Sequence, residues 1–437
     1  MSELLKSKCI HDKEHFVANQ GFVNLTIGAP GPKTLSESRK IFREATIKRL
    51  SSDHDECDTA LFQYGTEEGP SSFIHQLSRL LSAGYNDFVD PKNLFLTGGA
   101  SAGFFLSTAI LLSKDQSAVI FIESSTYFLV LRMIKDHGYE NIIPIPMQDD
   151  GVDVDVLEDA MKKEFDRLDI KNRGEKERFW AMFYTIPTYH NPTGSCLSDS
   201  KCKKVIQLSR KFNVLVVCDD VYNLLHYENE SIPSSGPPKR LVSYDNKDDH
   251  DYGGGHVISN GSFSKILAPG FRVGWIESSE TIVQKLVQCG MVHSGGSVNA
   301  VTSGIIATAI ELGLLSKHIE QLRKEYGKRM RSALKLLNDN LPDGFKCNPP
   351  SGGYFLWITG PFDSFDSEKF VEFCLEHYKV KVMPGYLSTS VSSSANIEEN
   401  KSMLCRNAIR VSISYYEHEE FCDAILNLCK ACKEFVK

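Results

Sequence analysis

The chain has 437 residues, of which 41% are hydrophobic and 24% charged, the composition of an ordinary globular protein. This length is too great for one small core, so we expect a large domain and a smaller one. The formal net charge of −7 and the pI near 6.0 argue against a nucleic-acid-binding protein that uses a basic face.

The apolar stretches are too short for a membrane helix, which needs about 18 residues. The richest stretch, residues 103–112, is interrupted by Ser107 and Thr108 and predicts a buried helix. The N-terminus has neither the apolar core of a secretion signal nor the arginines of a transit peptide. The sequence therefore predicts a cytoplasmic protein with no membrane and no nucleic-acid partner.

Twelve cysteines are scattered along the chain, a pattern that does not predict a disulfide framework in a reducing compartment. The closest pair, Cys429 and Cys432, lies in a helical pattern that turns Cys432 towards the core. A zinc site would need a second pair of ligands nearby, and the sequence has none there. We predict no metal site.

Short apolar runs alternate with longer helical patterns from about residue 93. Strands are predicted at residues 93–97, 118–122, 142–145, 179–184, 214–218, 257–259 and 271–276. Helices are predicted at residues 101–112, 127–137 and 154–165. Apolar strands between helices predict an α/β fold with a mostly parallel sheet covered on both faces.

The last third of the chain predicts a smaller α+β domain. A long charged helical pattern at residues 316–340 precedes predicted strands at 353–358, 381–383 and 409–413 and helices near 368–378 and at the C-terminus. We expect an N-terminal segment, residues 1–54, that packs with this small domain, a large domain at 55–315 and the small domain at 316–437. Two loop-rich stretches, 230–252 and 388–400, are predicted to be surface insertions.

The most specific motif is NGSFSKILAPGFRVGW at residues 260–275. Lys265 can form an imine with an aldehyde cofactor, while Ser262, Ser264 and Arg272 can donate to the cofactor's phosphate. Residues 262–265 also match the S-x-x-K of serine acyl-transfer enzymes, with residues 189–191 as their second motif. That order along the chain is reversed, however, and no K-T-G follows.

A carboxylate follows the apolar run in VLVVCDDVY, residues 214–222. Ligands of parallel sheets bind at the carboxyl ends of the strands. Asp219 there can pair with a pyridine nitrogen and keep it protonated, so that the ring acts as an electron sink. Tyr222 can reach the ring hydroxyl. Taken alone, the same residues would equally form a solvated turn.

A rigid loop is predicted in YTIPTYHNPTG, residues 184–194. Pro187 and Pro192 restrict its backbone, and Asn191 can donate to the phenolate oxygen of a pyridoxal ring. The alternative is a simple turn.

A strand, a glycine turn and a helix start are predicted in LTGGASAG, residues 96–103. Free amides at a helix N-terminus bind phosphate, and the hydroxyl of Ser101 can add a donor. Dinucleotide binding is the alternative, although the motif G-x-G-x-x-G is absent. After the next strand, Tyr127 can stack on a cofactor ring.

These motifs, in this order and over nearly the whole chain, resemble the class I/II aminotransferases of the type I pyridoxal-phosphate fold. The resemblance implies a mostly parallel seven-stranded sheet flanked by helices, plus a smaller α+β domain. Residues 24–32 look like the family's G-x-P segment, whose glycine, here Gly28, lies near the substrate carboxylate. Residues 407–412 match the strand whose arginine, here Arg410, binds that carboxylate through two parallel hydrogen bonds.

The resemblance also implies a homodimer. Residues 63–69 look like the family's Y-G-x-x-x-G segment, in which the tyrosine, here Tyr64, reaches the phosphate of the neighbouring subunit. The nearest subgroup is that of the 2-aminoadipate and aromatic amino-acid aminotransferases.

By the same resemblance, the cofactor is pyridoxal 5′-phosphate (PLP), and Lys265 carries it covalently. The catalytic residues are then Lys265, Asp219 and Tyr222. The substrate-binding residues are Gly28, Asn191 and Arg410. The other cofactor-binding residues are Gly99, Ala100, Ser101, Tyr127, Ser262, Ser264, Arg272 and Tyr64.

Two residues depart from the family pattern. Ser125 stands where relatives usually have proline before the stacking tyrosine, which puts the rigidity of that loop in doubt. Ala100 stands where many relatives have serine, and its backbone amide could still serve.

The predicted reaction is reversible transamination between an L-amino acid and a 2-oxo acid such as 2-oxoglutarate or pyruvate. Neutral Lys265 is the predicted base, since burial and neighbouring cations lower a lysine pKa. The alternatives are a cysteine-conjugate β-lyase of the same fold and a non-enzymatic regulator. Residues 1–38 contain no arginine that could bind a second carboxylate, which favours aromatic, aliphatic or broad specificity over dicarboxylates.

Overall fold

A computed structural model describes residues 21–51, 59–114, 117–172, 178–227, 236–390 and 405–437. Its strands are β1 (Val23–Asn24), β2 (Leu94–Thr97), β3 (Val119–Glu123), β4 (Asn141–Ile145), β5 (Met147–Gln148), β6 (Gly151–Val152), β7 (Ala181–Thr185), β8 (Leu215–Asp219), β9 (Val257–Ser262), β10 (Gly274–Ser278), β11 (Lys346–Cys347), β12 (Phe355–Thr359), β13 (Val380–Lys381), β14 (Met383–Pro384) and β15 (Ala408–Ser412). Its α-helices are Pro32–Leu50, Ser71–Tyr85, Ala100–Leu111, Phe128–Asp136, Val154–Arg167, Asp199–Phe212, Glu280–Val287, Gly290–His293, Ala300–Glu311, Leu314–Asn340, Ser367–Tyr378 and His418–Phe435.

The large sheet has seven strands in the order β2-β10-β9-β8-β7-β3-β4. Its strands are parallel from β9 to β4, and β10 runs antiparallel to both of its neighbours. Alternate residues of β3 enter two separate apolar clusters, Ile120 in one and Phe121 in the other. Because successive side chains of a strand point to opposite faces, both faces of the sheet are covered. The prediction of a mostly parallel seven-stranded sheet is confirmed.

One predicted strand begins later than expected. The apolar run at residues 271–276 predicted a strand over its whole length, but β10 begins at Gly274. Phe271 instead closes a short 3-10 helix, Pro269–Phe271, and Arg272 has a left-handed backbone with φ of 50°. A residue in that conformation cannot continue a strand. The turn brings the Arg272 side chain back towards the N-terminus of helix Ala100–Leu111.

The smaller sheet is antiparallel, in the order β11-β12-β15-β14. β1 pairs in parallel with β13, so the start of the described chain lies beside this part of the molecule. Helix Pro32–Leu50 packs elsewhere, with Ala45 against Ile305 and Ala309. The division into domains at residues 54 and 315 stays a prediction.

The two predicted surface insertions are partly buried. Arg240 and Leu241 are fully buried, because the Arg240 guanidinium pairs with Glu277 and Asp87. Residues 388–390 are buried as well. The prediction is wrong for these residues. The parts at 230–235 and 391–400 lie outside the described residues.

Within the described ranges, no single helix is long and apolar enough to cross a membrane. Helices Ala300–Glu311 and Leu314–Asn340 reach the necessary length and apolar composition only when they are taken together, and they are bent by 78° at their break. Cys432 is fully buried, as its helical spacing predicted. No group of three or more His, Cys, Asp or Glu side chains in these ranges could hold a metal ion.

Candidate active site

A cleft of about 920 Å³ lies at the carboxyl ends of the parallel strands, between the two sheets and the N-terminal segment. All the predicted site residues except Gly99 and Tyr64 line it. Those residues are Gly28, Ala100, Ser101, Tyr127, Asn191, Asp219, Tyr222, Ser262, Ser264, Lys265, Arg272 and Arg410.

One corner of the cleft collects hydrogen-bond donors. Helix Ala100–Leu111 begins after Gly99, and a Cβ atom on Gly99 would lie 2.9 Å from Nη2 of Arg272. Ser262 Oγ lies 2.9 Å from Ser264 Oγ, and Arg272 Nη1 is 3.5 Å from the latter. Free helix amides, two hydroxyls and a guanidinium together suit a phosphate dianion.

Lys265 lies on the same side of the cleft as this corner. Its Nζ donates to the carbonyl oxygen of Gly28 at 2.6 Å. Withdrawal of the ammonium from water, aided by the charges of Arg410 and Arg272, lowers the pKa of Lys265 to about 8, against the opposing charge of Asp219. A larger fraction of this lysine is therefore neutral near pH 7 than of an ordinary one.

Asp219 ends β8 and is deeply buried. Its Oδ2 accepts a hydrogen bond from Tyr184 Oη at 2.7 Å, while its Oδ1 has no partner among the described residues. Burial raises the pKa of Asp219 to about 6, although the bond from Tyr184 opposes that rise. A buried carboxylate oxygen without a partner costs free energy. A protonated pyridine nitrogen would supply the missing donor, so this site fits PLP.

Arg410 is only 4% exposed, in the middle of β15. Its Nη1 donates to Asn191 Oδ1 and its Nη2 to the carbonyl oxygen of Thr26, both at 2.8 Å. The guanidinium lies 4.2 Å from the centroid of the Phe355 ring. Burial lowers the pKa of Arg410 to about 10.

The charge of Arg410 is not neutralised by any residue that the structure describes. None of the carboxylates that the structure describes forms an ion pair with Arg410, and its Nε has no hydrogen-bond partner there. A buried cation without a counter-charge is costly. An anionic ligand in the cleft would remove that cost.

Tyrosines line the remaining walls of the cofactor side. Tyr127 precedes helix Phe128–Asp136, and burial raises its pKa to about 12. Tyr222 packs against Tyr354 with ring centroids 5.3 Å apart, and Tyr354 Oη donates to the carbonyl oxygen of Lys265 at 2.6 Å. The backbone that carries Lys265 is thus fixed through Tyr354, to which the sequence analysis gave no role.

The loop before Tyr127 is held in place by hydrogen bonds, although Ser125 stands where the resemblance predicts a proline. Thr126 N–H donates to the carbonyl oxygen of Ser388, and Ser390 N–H donates to that of Ser124, each at 2.8 Å. The Ser125 hydroxyl also lies 3.0 Å from Cys405 Sγ. Backbone pairing with the buried residues 388–390 therefore supports the loop, whose rigidity the serine at position 125 had put in doubt.

A buried network behind the cleft was also missed. Glu123, at the end of β3, accepts from Thr185 Oγ1 at 2.6 Å, from Ile186 N–H at 3.1 Å and from His190 Nε2 at 3.0 Å. The signal in the sequence was a polar residue at the end of each of two apolar strands, together with His190 beside Asn191.

Two predicted residues stand apart. Gly99 lies behind Arg272, where it allows the close approach of the guanidinium. Tyr64 does not line the cleft of its own chain and is 81% exposed.

The fold and the cleft agree with the protein family that the sequence matches. The family model "Aminotransferase class I and II" matches residues 21–425. The chain belongs to this family. The predicted fold, cofactor and enzyme class are thereby confirmed: the protein is a PLP-dependent aminotransferase of the type I fold.

Several relatives resemble this aminotransferase over most of their length. Aromatic-amino-acid aminotransferase 1 of Thermococcus litoralis is 27% identical over 99% of the chain and 93% of the relative. The 2-aminoadipate transaminase of Thermus thermophilus is 24% identical over 82% of the chain and 80% of the relative. The crystal structure of Pyrococcus horikoshii kynurenine aminotransferase superposes with a TM-score of 0.78 at 26% identity, covering 100% of this chain and 97% of that one.

Proposed function

We propose that this aminotransferase moves an amino group between an L-amino acid with an aromatic, 2-aminoadipate-like or more varied side chain and a 2-oxo acid such as 2-oxoglutarate or pyruvate. One observation carries the proposal. A lysine of lowered pKa, a buried aspartate with a free oxygen and a buried arginine without a counter-charge face one cleft.

The cofactor would be held by the donors of the phosphate corner and by the tyrosines. Bound PLP supplies an electron sink for the substrate's Cα–H bond. Tyr127 would lie against its ring, and Tyr222 and Asn191 would donate to its phenolate oxygen. Asp219 would accept from the pyridine nitrogen through Oδ1, while Tyr184 keeps the carboxylate oriented through Oδ2.

Lys265 would hold the cofactor covalently and then, once released by the incoming amine, move a proton at the substrate's Cα. Only a neutral amine can accept that proton, and burial favours the neutral form. The hydrogen bond from Nζ to Gly28 places the amine beside the N-terminal segment. Arg410 also contacts this segment, through the carbonyl oxygen of Thr26.

Arg410 would bind the α-carboxylate of both substrates. Each of its two Nη atoms uses one N–H for Asn191 or Thr26, so each keeps a second N–H for a carboxylate. Gly28 leaves room beside this point, since a Cβ atom there would lie 2.9 Å from the Phe355 ring.

We further propose a cytoplasmic homodimer in which Tyr64 completes the phosphate site of the partner subunit. Tyr64 and Phe62 are 81% and 68% exposed. Exposed aromatic side chains of this size are typical of surfaces that another protein covers. The ten cysteines in the described ranges are all free, which agrees with a reducing compartment.

The deciding experiment compares wild-type protein with Lys265→Ala, both supplied with PLP. Wild type should convert an L-amino acid and a 2-oxo acid into the exchanged pair, and Lys265→Ala should lose this activity while its circular dichroism is unchanged. Borohydride reduction and peptide mapping should find the cofactor on Lys265. A matched control is Lys335→Ala, on an exposed helical surface, which should remain fully active.

Two results would overturn the proposal. Attachment of the cofactor to another lysine would remove Lys265 from its role. Release of pyruvate and ammonia from a cysteine conjugate, at a rate that no 2-oxo acid increases, would make β-elimination the reaction instead.

A further inference from the structure

Four cationic side chains line the cleft, and three of them have roles in the proposed function. Lys265 and Arg272 lie on the cofactor side, and Arg410 faces the substrate carboxylate. The fourth is Lys381, the last residue of β13, which lies two residues before the start of β14 in the smaller sheet. Its ammonium forms no hydrogen bond or ion pair with any residue that the structure describes. Residues 1–38 contain no arginine for a second substrate carboxylate, but Lys381 places a further cation at the cleft.

The strand register fixes where Lys381 lies relative to Arg410. Met383 of β14 is the direct cross-strand partner of Arg410. Lys381 precedes Met383 by two residues on an extended segment, so its Cα lies about 7 Å farther along. Since side chains at positions i and i+2 of an extended segment share a face, Lys381 points to the same side as Met383, the side that contacts the cleft.

The N-terminal segment gives a second, independent connection. Asn24 is the parallel partner of Lys381, and its side chain accepts hydrogen bonds from the backbone N–H and hydroxyl of Thr26. The carbonyl oxygen of Thr26 in turn accepts from Arg410 at 2.8 Å. Lys381 and Arg410 therefore lie at the two ends of a short hydrogen-bonded segment that contains Asn24 and Thr26.

The cleft that contains both cations is also lined by apolar residues. Those residues include Phe22, Val371, Leu375 and Met383. Glu372 also lines it but does not pair with Lys381. Such a surface suits the methylene groups of a substrate whose polar atoms are confined to its ends.

We propose that Lys381 is a specificity-determining residue that binds the distal carboxylate of dicarboxylic substrates. This inference rests on the proposed function, in which Arg410 binds the α-carboxylate. The two carboxyl carbons of an extended six-carbon dicarboxylate are roughly 6 Å apart, from five C–C bonds of about 1.5 Å at tetrahedral angles. Lys381 and the cross-strand partner of Arg410 are only about 7 Å apart along the backbone, and the flexible stem of a lysine lets its ammonium reach the second carboxylate of such a ligand.

The test uses Lys381→Met, which keeps the apolar stem and removes the charge. Donors are 2-aminoadipate and norleucine, which have the same chain length and differ in the distal carboxylate. Acceptors are 2-oxoglutarate and pyruvate. The variant should lose about tenfold or more in kcat/KM for 2-aminoadipate and 2-oxoglutarate, because a partly desolvated ion pair is removed. It should stay within about twofold of wild type for norleucine and pyruvate.

Two further variants make the result specific. Lys381→Arg keeps a cation and should retain most of the preference for the dicarboxylates. Lys346→Met removes an exposed lysine from β11 that does not line the cleft, and it should leave all four substrates unchanged. The inference is wrong if Lys381→Met leaves the ratio of 2-aminoadipate to norleucine unchanged, or if it weakens all four substrates equally.

A binding measurement separates this inference from the proposed function. Adipate and hexanoate differ only in the second carboxylate, and calorimetry of their binding to the PLP-loaded protein needs no turnover. Wild type should bind adipate more tightly than hexanoate, and Lys381→Met should bind both alike. If adipate binding depends on Lys381 but no amino group is transferred, the proposed function fails and the carboxylate site remains. If amino groups are transferred and adipate gains nothing from Lys381, only the present inference fails.

Discussion

Burial sets the chemistry of the individual charged residues in the cleft. Withdrawal from water pushes Lys265 towards its neutral form, Asp219 towards its protonated form and Arg410 towards a lower pKa. Each of these shifts opposes charge, and among the described residues Oδ1 of Asp219 and Nε of Arg410 have no hydrogen-bond partner. A zwitterionic substrate and a cofactor with a pyridine nitrogen and a phosphate would satisfy all of them together.

The lowered pKa of Lys265 predicts how PLP uptake depends on pH. Only the neutral amine attacks the cofactor's aldehyde. The pKa of Lys265 is about 8 rather than the ordinary 10.5, so the neutral form predominates above about pH 8. The rate of uptake by the apoenzyme should therefore rise with pH through about 8 and level off above it. Stopped-flow absorbance at each pH measures this rate.

Asp219→Asn is the control for that prediction. The Asp219 carboxylate raises the pKa of Lys265, so its removal should move the midpoint to lower pH. A midpoint near 10.5 in wild type, or a midpoint that rises in Asp219→Asn, would contradict the assignment.

Arg410→Lys tests the geometry of the carboxylate site. Lysine keeps the charge but offers a single point of contact in place of a planar fork. We expect kcat/KM for amino acids and 2-oxo acids to fall by roughly one to three powers of ten. Amines without a carboxylate should react at nearly the wild-type rate, and the spectrum of the bound cofactor should persist. Equal losses for amino acids and simple amines would show that Arg410 is structural.

The catalytic motifs could be predicted from sequence because each of them is a short, continuous stretch of the chain. Asp219 ends a strand, Lys265 and Asn191 follow soon after strand ends, and the carboxyl ends of parallel strands meet at one edge. Lys381 and Tyr184 were not predicted as site residues. Their positions depend on pairing between distant segments, such as β1 with β13, and no local pattern encodes that pairing.

At the scale of secondary-structure elements, buried polar contacts lock the strand ends in place. Glu123 joins the end of β3 to the loop after β7 through three donors. Thr193 N–H donates to Nδ1 of His190 at 3.3 Å, and Nε2 of the same ring lies 3.0 Å from a carboxylate oxygen of Glu123. This network fixes His190 and, next to it, Asn191.

Glu123→Ala should therefore destabilise the protein strongly. It leaves the hydroxyl of Thr185, the N–H of Ile186 and the Nε2–H of His190 buried without an acceptor, which should lower the free energy of unfolding by about 3 kcal/mol or more. Glu123→Gln keeps one acceptor oxygen and should cost less. Urea unfolding of the PLP-loaded enzyme measures both.

The control for Glu123 is Glu376→Ala, whose side chain is 77% exposed and whose loss should change stability by less than about 0.5 kcal/mol. If Glu123→Ala were as stable as this control, the network would contribute nothing to the position of the Asn191 loop.

Element boundaries were harder to predict than element identity. The apolar run at residues 271–276 has the composition of a strand, yet the left-handed backbone of Arg272 delays β10 until Gly274. Gly274 is needed at that point because a Cβ atom there would lie 2.7 Å from Cα of Gly99. The close approach of two turns, which hydropathy does not record, sets this boundary.

At the scale of the whole molecule, the cleft is assembled from three regions that are distant in sequence. The N-terminal segment contributes Gly28, the edge of the large sheet contributes Asp219 and Lys265, and the small sheet contributes Arg410. Of the two predicted site residues that do not line the cleft, Gly99 lies directly behind Arg272, whereas Tyr64 lies away from all three regions. Tyr64 is exposed beside the turn at Gly295, where a Cβ atom would lie 3.6 Å from its ring.

The exposure of Tyr64 leads to the prediction of a shared active site. If Tyr64 of the partner subunit reaches the phosphate, then Tyr64→Ala and Lys265→Ala damage different halves of the same site. Mixing the two variants should create heterodimers with one intact site, because the Lys265→Ala subunit donates its tyrosine to the intact lysine of the other subunit. An equal mixture at random exchange should recover about a quarter of wild-type activity, since half the dimers are mixed and each has one good site of two.

Assays at low PLP concentration after subunit exchange measure this recovery, and sedimentation at the same protein concentration gives the oligomeric state. Mixing Lys265→Ala with Lys265→Arg is the control and should recover nothing, because both variants lack the same residue. A fully active monomer, or a mixture of Tyr64→Ala and Lys265→Ala no more active than its components, would contradict the shared site. Recovery above the control would show that the phosphate corner formed by Ser262, Ser264 and Arg272 is completed only when two chains associate.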